Sequence, residues 1–234
     1  MSLTTNAELV SSSGKYPFRY RSVTPSGEVA YDTTAIRQNG DINAIRVEAT
    51  LNHYYSNTGF WKLQLYHYNS ERGVPGAIVN NVWRNGERLW DRNSFVQATW
   101  QDELFNRWSV RVNAKYANDY TRYINNDDKL IHVENQYLQQ EAYLTMANKV
   151  NIFDWWDGSV AYDMQYNALS MYMDAHRFTH WLSVATAINI KNYLRVQASA
   201  LGTFVNEEAR DRDEAPNTSK FTPAVFISYR PSQV

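Results

Sequence analysis

The chain has 234 residues, a formal net charge of −1 and no cysteine. That length suits one all-β domain, and the near-zero charge, without basic clusters, implies no nucleic acid or other polyanion partner. Without cysteine there is no disulfide, thiol nucleophile or thiolate metal site, and no run of about 18 apolar residues offers a transmembrane helix.

Residues 1–3, Met1-Ser2-Leu3, read as an extraneous start with no export signal before the natural sequence. Region 4–40 is less regular. Two short strands are predicted at 15–22 and 28–36, around the turn sequence Pro25-Ser26-Gly27. Asn39-Gly40-Asp41 then leads into the regular part, so 4–40 reads as a long hairpin loop.

From 41 to 234 about nine stretches alternate apolar and polar residues, so that one face reads i, i+2, i+4. Ile45, Val47, Ala49 and Leu51 fall opposite Arg46, Glu48 and Thr50. Trp61, Leu63 and Leu65 oppose Lys62 and Gln64; Val96, Ala98 and Trp100 oppose Gln97 and Thr99. Val110, Val112 and Ala114 oppose Arg111, Asn113 and Lys115; Ala142, Leu144 and Met146 oppose Glu141, Tyr143 and Thr145. Val160, Tyr162 and Met164 oppose Ala161, Asp163 and Gln165, and Leu182, Val184 and Ile188 oppose Ser183, Ala185 and Asn189. Leu194, Val196 and Ala198 oppose Arg195 and Gln197, and Val225, Ile227 and Tyr229 close the series, with Pro223 at that strand's start.

The links alternate in length. Those at 55–58, 103–106, 148–156 and 191–192 are short, and those at 72–89, 122–131, 171–178 and 206–219 are mostly longer. A chain running up and down through one antiparallel sheet, with tight turns at one rim and long loops at the other, produces this rhythm. The fold class is therefore all-β, an antiparallel up-and-down β-barrel, here a segment of a larger transmembrane barrel. A soluble sandwich also alternates. Two details favour the membrane wall. Charged residues recur on the polar face of nearly every strand, as in a wet lumen, and rings gather at the short-turn rim: Tyr54, Tyr55, Phe60, Trp61, Phe105, Trp108, Phe153, Trp155, Trp156 and Tyr193.

Motifs with chemistry are sparse. Asn125-Asn126-Asp127-Asp128 and the acidic run from Glu207 to Glu214 could offer oxygens to calcium, but neither matches an EF-hand loop and both read as solvated loops. His176 and His180 are spaced like helical zinc ligands, yet on a strand they stand about 13 Å apart. Glu48, Glu141 and Asp163 read as ordinary lumen charges. No catalytic residue, metal or cofactor is assigned, and the chain is read as a non-enzyme.

The passage Tyr66-His67-Tyr68-Asn69-Ser70-Glu71-Arg72-Gly73-Val74-Pro75-Gly76-Ala77-Ile78 resembles the strand-to-loop passage of TonB-dependent outer-membrane receptors. Glu87-Arg88-Leu89-Trp90-Asp91-Arg92-Asn93-Ser94-Phe95-Val96-Gln97 resembles the next barrel strand in that family, most closely in the Bacteroidetes vitamin B12 and iron-chelate types. The resemblance implies a stretch of barrel wall from the middle of such a receptor. It would face membrane lipid in the bacterial outer membrane and help import a small-molecule ligand of the cobalamin or siderophore class. TonB would be reached only through N-terminal parts that this chain does not contain. Independently of the family, Gly73 and Gly76 permit positive φ and Pro75 biases Val74 to extended geometry, so this loop can fold over a mouth. Arg72, Trp83, Arg84, Arg88 and Trp90 from that loop suit an anionic or aromatic ligand. Tyr123, Tyr172, His176 and Arg177 come from neighbouring loops at the same rim. The alternative is a secreted soluble β-sandwich, a lectin-like module using loop aromatics on sugars; the two differ in whether lipid or a second sheet covers the apolar face.

Overall fold

The computed structural model describes residues 1–76, 86–126, 132–171, 174–191, 193–209 and 217–230. Twelve strands follow in chain order: β1 (Ser2–Ser12), β2 (Pro17–Val23), β3 (Val29–Ile36), β4 (Ile42–Tyr54), β5 (Phe60–Gly73), β6 (Glu87–Phe105), β7 (Trp108–Asn125), β8 (Val133–Phe153), β9 (Trp156–Ser170), β10 (Ala175–Ile190), β11 (Leu194–Ala209) and β12 (Thr218–Tyr229). Ten form one sheet in the order β1-β4-β5-β6-β7-β8-β9-β10-β11-β12, open at both edges. β2 and β3 form a hairpin of their own, inserted at the long-loop end between β1 and β4. All these pairings are antiparallel.

This is a stretch of up-and-down antiparallel barrel wall, with tight turns at 55–59, 106–107 and 154–155 at one rim, where β10 also ends at Ile190 and β11 begins at Leu194. The hairpin read from 15–22 and 28–36 is present. The wall, however, begins before 41: Ser2–Ser12 pairs along its whole length with β4, from Ser2 opposite Asn52 to Ser12 opposite Ile42. The sheet thus has ten strands rather than nine, and Ser2 and Leu3 are strand residues. Pro223 also sits inside β12, opposite Ala200, not at its start. An edge strand tolerates a residue with no N–H on its open side.

Register fixes the two faces, because paired residues share one. Leu51, Leu63, Ala98 and Ala114 lie in one cross-strand row, followed by Leu144, Met164 and His180. The apolar set Ile45, Val47, Leu63, Leu65, Val110, Val112, Leu144, Val184, Ile188, Val196 and Ile227 shares this outer face. Arg46, Lys62, Gln64, Arg111, Lys115, Arg195 and Gln197 share the other, inner face. A slip of one residue would have exchanged the sets.

Burial runs opposite to that of a water-soluble sheet. Many large apolar side chains stay open on the outer face, with Leu144 at 40%, Leu182 at 46% and Val184 at 48%, although Val110 and Ile124 on that face are buried. The most buried polar residues, among them Ser70, Thr99, Thr145 and Thr179, are on the inner face. Among the described residues no second sheet packs against the outer face: β2 and β3 pair only with each other.

Candidate functional site: the inner face at the long-loop rim

On the outer face two rows of rings bound the apolar band. Near the short turns stand Trp61, Trp100, Trp108, Phe153 and Trp156, with Phe105 stacked on Trp108 at 5.9 Å and Phe153 on Trp155 at 5.4 Å. The second row contains Tyr116, Tyr166, Phe178 and Phe204, with Tyr166 and Phe178 in contact at 4.6 Å. Trp108 and Tyr116 on β7, and Trp156 and Tyr166 on β9, put the rows eight to ten residues apart. At about 3.4 Å per residue and a tilt of about 40°, that is roughly 20–26 Å across. Past the second row this face turns polar. Arg122 pairs with Glu134 at 2.7 Å and lies 5.3 Å from the Trp90 ring, and Arg92 lies 5.3 Å from Tyr120. The strands therefore continue beyond the apolar band at the long-loop end.

That extension relocates several expected site residues. Arg72, Arg88, Trp90 and Tyr123 are strand residues of β5, β6 and β7, and His176 and Arg177 belong to β10, not to loops. β5 runs to Gly73 and β6 starts at Glu87, so both ends of the expected 72–89 link are strand. Trp83, Arg84 and Tyr172 lie outside the described residues. The remainder divide between the faces. Arg72, Tyr123 and Arg177 are on the inner face; Arg88, Trp90 and His176 are on the outer. Alternation could not reveal this: above the apolar band both faces meet water, so neither is marked by hydrophobicity.

The inner row nearest the rim is Ile42, Arg72, Leu89 and Tyr123. Arg72 and Tyr123 stand two strands apart, about 10 Å. Arg72 Nη2 donates to Asp91 Oδ2 at 3.1 Å, while the Thr121 hydroxyl donates to Asp91 Oδ1 at 3.0 Å. Partial burial, with the Glu87 carboxylate accepting from the phenol, raises the Tyr123 pKa above the ordinary tyrosine value, so it is a neutral donor at physiological pH. Arg177 is ion-paired with Glu207.

The outward residues hold the rim together. Arg88 donates to both oxygens of Asp41 at 2.9 and 3.0 Å and to Glu71 at 2.7 Å. His176 Nδ1 is 2.9 Å from the Tyr166 hydroxyl, and its ring stacks on Tyr166 at 5.9 Å; His180 meets Tyr162 in the same way, 2.7 Å from its hydroxyl. Among the described residues no three His, Asp or Glu side chains gather as a metal site. Asp127, Asp128 and the 210–216 part of the second acidic run lie outside the described residues.

The start of the β5–β6 loop is clamped from the hairpin side. Asn39, at φ 55°, donates Nδ2 to the carbonyl oxygens of Val74 and Glu87 at 2.9 and 2.7 Å. Arg37 Nη2 donates to those of Pro75 and Gly76, both at 2.9 Å. Gly73 is glycine because of this approach: a Cβ there would lie 2.4 Å from Asn39 Oδ1 and 2.6 Å from its carbonyl oxygen. Neither Gly73 nor Gly76 takes positive φ, so close packing replaces the expected conformational reason. Asn39, Asp41 and Asp91 are the rim residues that the motif reading passed over. Their signal is cross-strand pairing, which a single strand's pattern does not carry.

No protein-family model matches this sequence, and no curated protein matches it. Among solved structures, the crystal structure of the ferric citrate transporter FecA in the unliganded form aligns with a TM-score of 0.55 at 12% identity. The alignment covers 98% of this chain and 42% of FecA, so the chain spans well under half the length of that protein. The likeness is one of fold: this chain is built as a stretch of antiparallel wall like part of that protein.

Proposed function

We propose that this chain is a stretch of wall in an outer-membrane barrel receptor that imports a small-molecule ligand, and that the ligand meets the inner face at the long-loop rim. The observation that carries the reading is the reversed burial. A continuous apolar face left open, bounded by two ring rows a membrane thickness apart, suits lipid, while the crowded polar face suits a wet lumen. A water-soluble sandwich would need a second layer over that face.

The ligand class follows from the resemblance and from FecA, whose name specifies ferric citrate: a ferric chelate or vitamin B12 in the intact protein, with TonB engaged through other segments. Binding, not catalysis, is the proposed role. Arg72, Tyr123 and Arg177 are the described candidates for contact, joined by Trp83, Arg84 and Tyr172 of the loops. Arg88, Trp90 and His176 would act by holding the rim. The test is uptake of ferric citrate and cyanocobalamin by cells carrying the intact protein, at matched surface expression. Arg72→Ala or Tyr123→Ala should weaken binding by about 2 kcal/mol, some thirtyfold, while Trp155→Ala at the opposite rim should leave it unchanged. Equal loss from Trp155→Ala would put the site at the wrong end.

A further inference from the structure

Below the rim row, the inner face of β1, β4, β5 and β6 holds an open cavity of about 350 Å³. It exists because of side-chain size. The row Val10, Ala44, Ser70 and Asp91 is small at its centre, and the next row inward, Glu8, Arg46, Tyr68 and Asn93, is large. Glu8, Arg46, Tyr68 and Asn93 line the space with Tyr66, whose ring is fixed by stacking on Phe95 at 5.1 Å and 11°.

The charges here are already matched. Arg46 Nη2 bonds Glu8 Oε2 at 2.5 Å and its Nε lies 3.7 Å from Glu48 Oε1, and Arg72 two rows up holds Asp91. Asn93 donates Nδ2 to Asp119 at 2.9 Å, which leaves its own Oδ1 to accept. An anion would have to displace Glu8 from Arg46. The cavity's lining then offers the Asn93 amide oxygen and the hydroxyls of its two tyrosines to a ligand's own hydroxyls.

We propose that this cavity is a subsite for a neutral polyhydroxylated ring, a sugar residue. Tyrosine rings offer flat apolar surface to the ring's C–H face. The Arg46–Glu8 pair and the Asn93 amide offer donors and acceptors to adjacent hydroxyls. This rests on the inner face being the ligand path, and it replaces the anionic chelate by a neutral ligand at this point of the path.

The experiment is saturation-transfer NMR on the intact protein in detergent. The probes are neutral trisaccharides of glucose, galactose and mannose, with ferric citrate as competitor. The expected result is transfer to sugar ring protons that ferric citrate does not suppress. Tyr68→Ala and Asn93→Ala should each weaken binding about tenfold or more, while Tyr162→Phe on the outer face leaves it unchanged. Ferric citrate binding while every sugar stays silent would overturn the sugar subsite and leave the import reading standing. Silence from sugars and ferric citrate alike would also overturn the sugar subsite, and cyanocobalamin uptake would then decide the import reading. Equal sugar transfer in wild type, Tyr68→Ala and Asn93→Ala would also overturn the proposal, because the sugar would then bind elsewhere.

Discussion

Within strand β10, Val184 on the outer face is 48% exposed and Thr179 on the inner face is 6% exposed. The same contrast recurs along the sheet: Leu144 at 40% neighbours Thr145 at 9% on β8, and Ala98 and Val96 flank Gln97 near Thr99, which is 8% exposed. In water the large aliphatic groups would be the ones removed from solvent. Here small hydroxyl and amide groups crowd together and most of the large aliphatic groups are left outside, Val110 and Ile124 excepted. On the proposed membrane reading the two faces meet two solvents, and the same alternating pattern would be unstable as a free sheet with this outer face in water.

The sharpest way to break this comparison is to place one charge on each face at one level. Val184 pairs with Ala200, and Ser199, the residue before Ala200, faces inward opposite Ala185. Val184→Arg should cost about 2–4 kcal/mol near the membrane midplane and block assembly, whereas a lumen-facing change does not carry that penalty. Ser199→Arg should therefore assemble normally. The measurement is the folded fraction recovered from outer membranes. Normal assembly of Val184→Arg, or equal failure of both, would mean the faces do not meet different solvents.

Within the apolar band the fold was legible because alternation has a cause there. Val110, Val112 and Ala114 must face one solvent, and Arg111, Asn113 and Lys115 the other, so strand and face follow together. Beyond the band that cause disappears. The outer face of β7 continues as Asn118, Tyr120 and Arg122 and its inner face as Asp119, Thr121 and Tyr123, polar on both sides. Strand ends were therefore set too early, and Arg72, Arg88 and Trp90 read as loop residues. β1 was missed for a related reason: Thr4, Thr5 and Asn6 break its apolar pattern, and only pairing with β4 defines it. Cavity and rim clamp depend on rows that cross three or four strands, which needs register rather than sequence.

A second prediction tests whether the inner side at the rim is a fixed surface. Gly73→Ala puts a methyl 2.6 Å from the Asn39 carbonyl oxygen, a backbone atom that cannot swing aside as a side chain would. Overpacking of this kind costs about 1–3 kcal/mol. The expected readout is a lower denaturant midpoint for the protein in detergent, with the slope unchanged. A wild-type midpoint would show that the hairpin side of the rim yields freely and that Asn39 is no clamp.

The smallest effect is expected where the outer face has left the apolar band. Glu134 accepts from Gln136 Nε2 at 2.9 Å and from Arg122 Nε at 2.8 Å, and these bonds hold its pKa below the ordinary carboxylate value. A carboxyl with a lowered folded pKa lends stability that is complete above its unfolded pKa. That contribution is lost as pH falls through the lowered value. Because the pair is open to solvent, the loss should stay local and be screened by salt. Amide exchange at the β7–β8 ends should therefore quicken, relative to intrinsic rates, as pH drops below the usual carboxylate range. Exchange in the Val112–Leu144 region of the same strands should hold. Glu134→Gln should remove the pH dependence at those ends. If the ends of wild type kept constant protection through that acid range, the Arg122–Glu134 pair would be carrying no part of the rim's order, and the Arg122 contact with Trp90 would be sufficient alone.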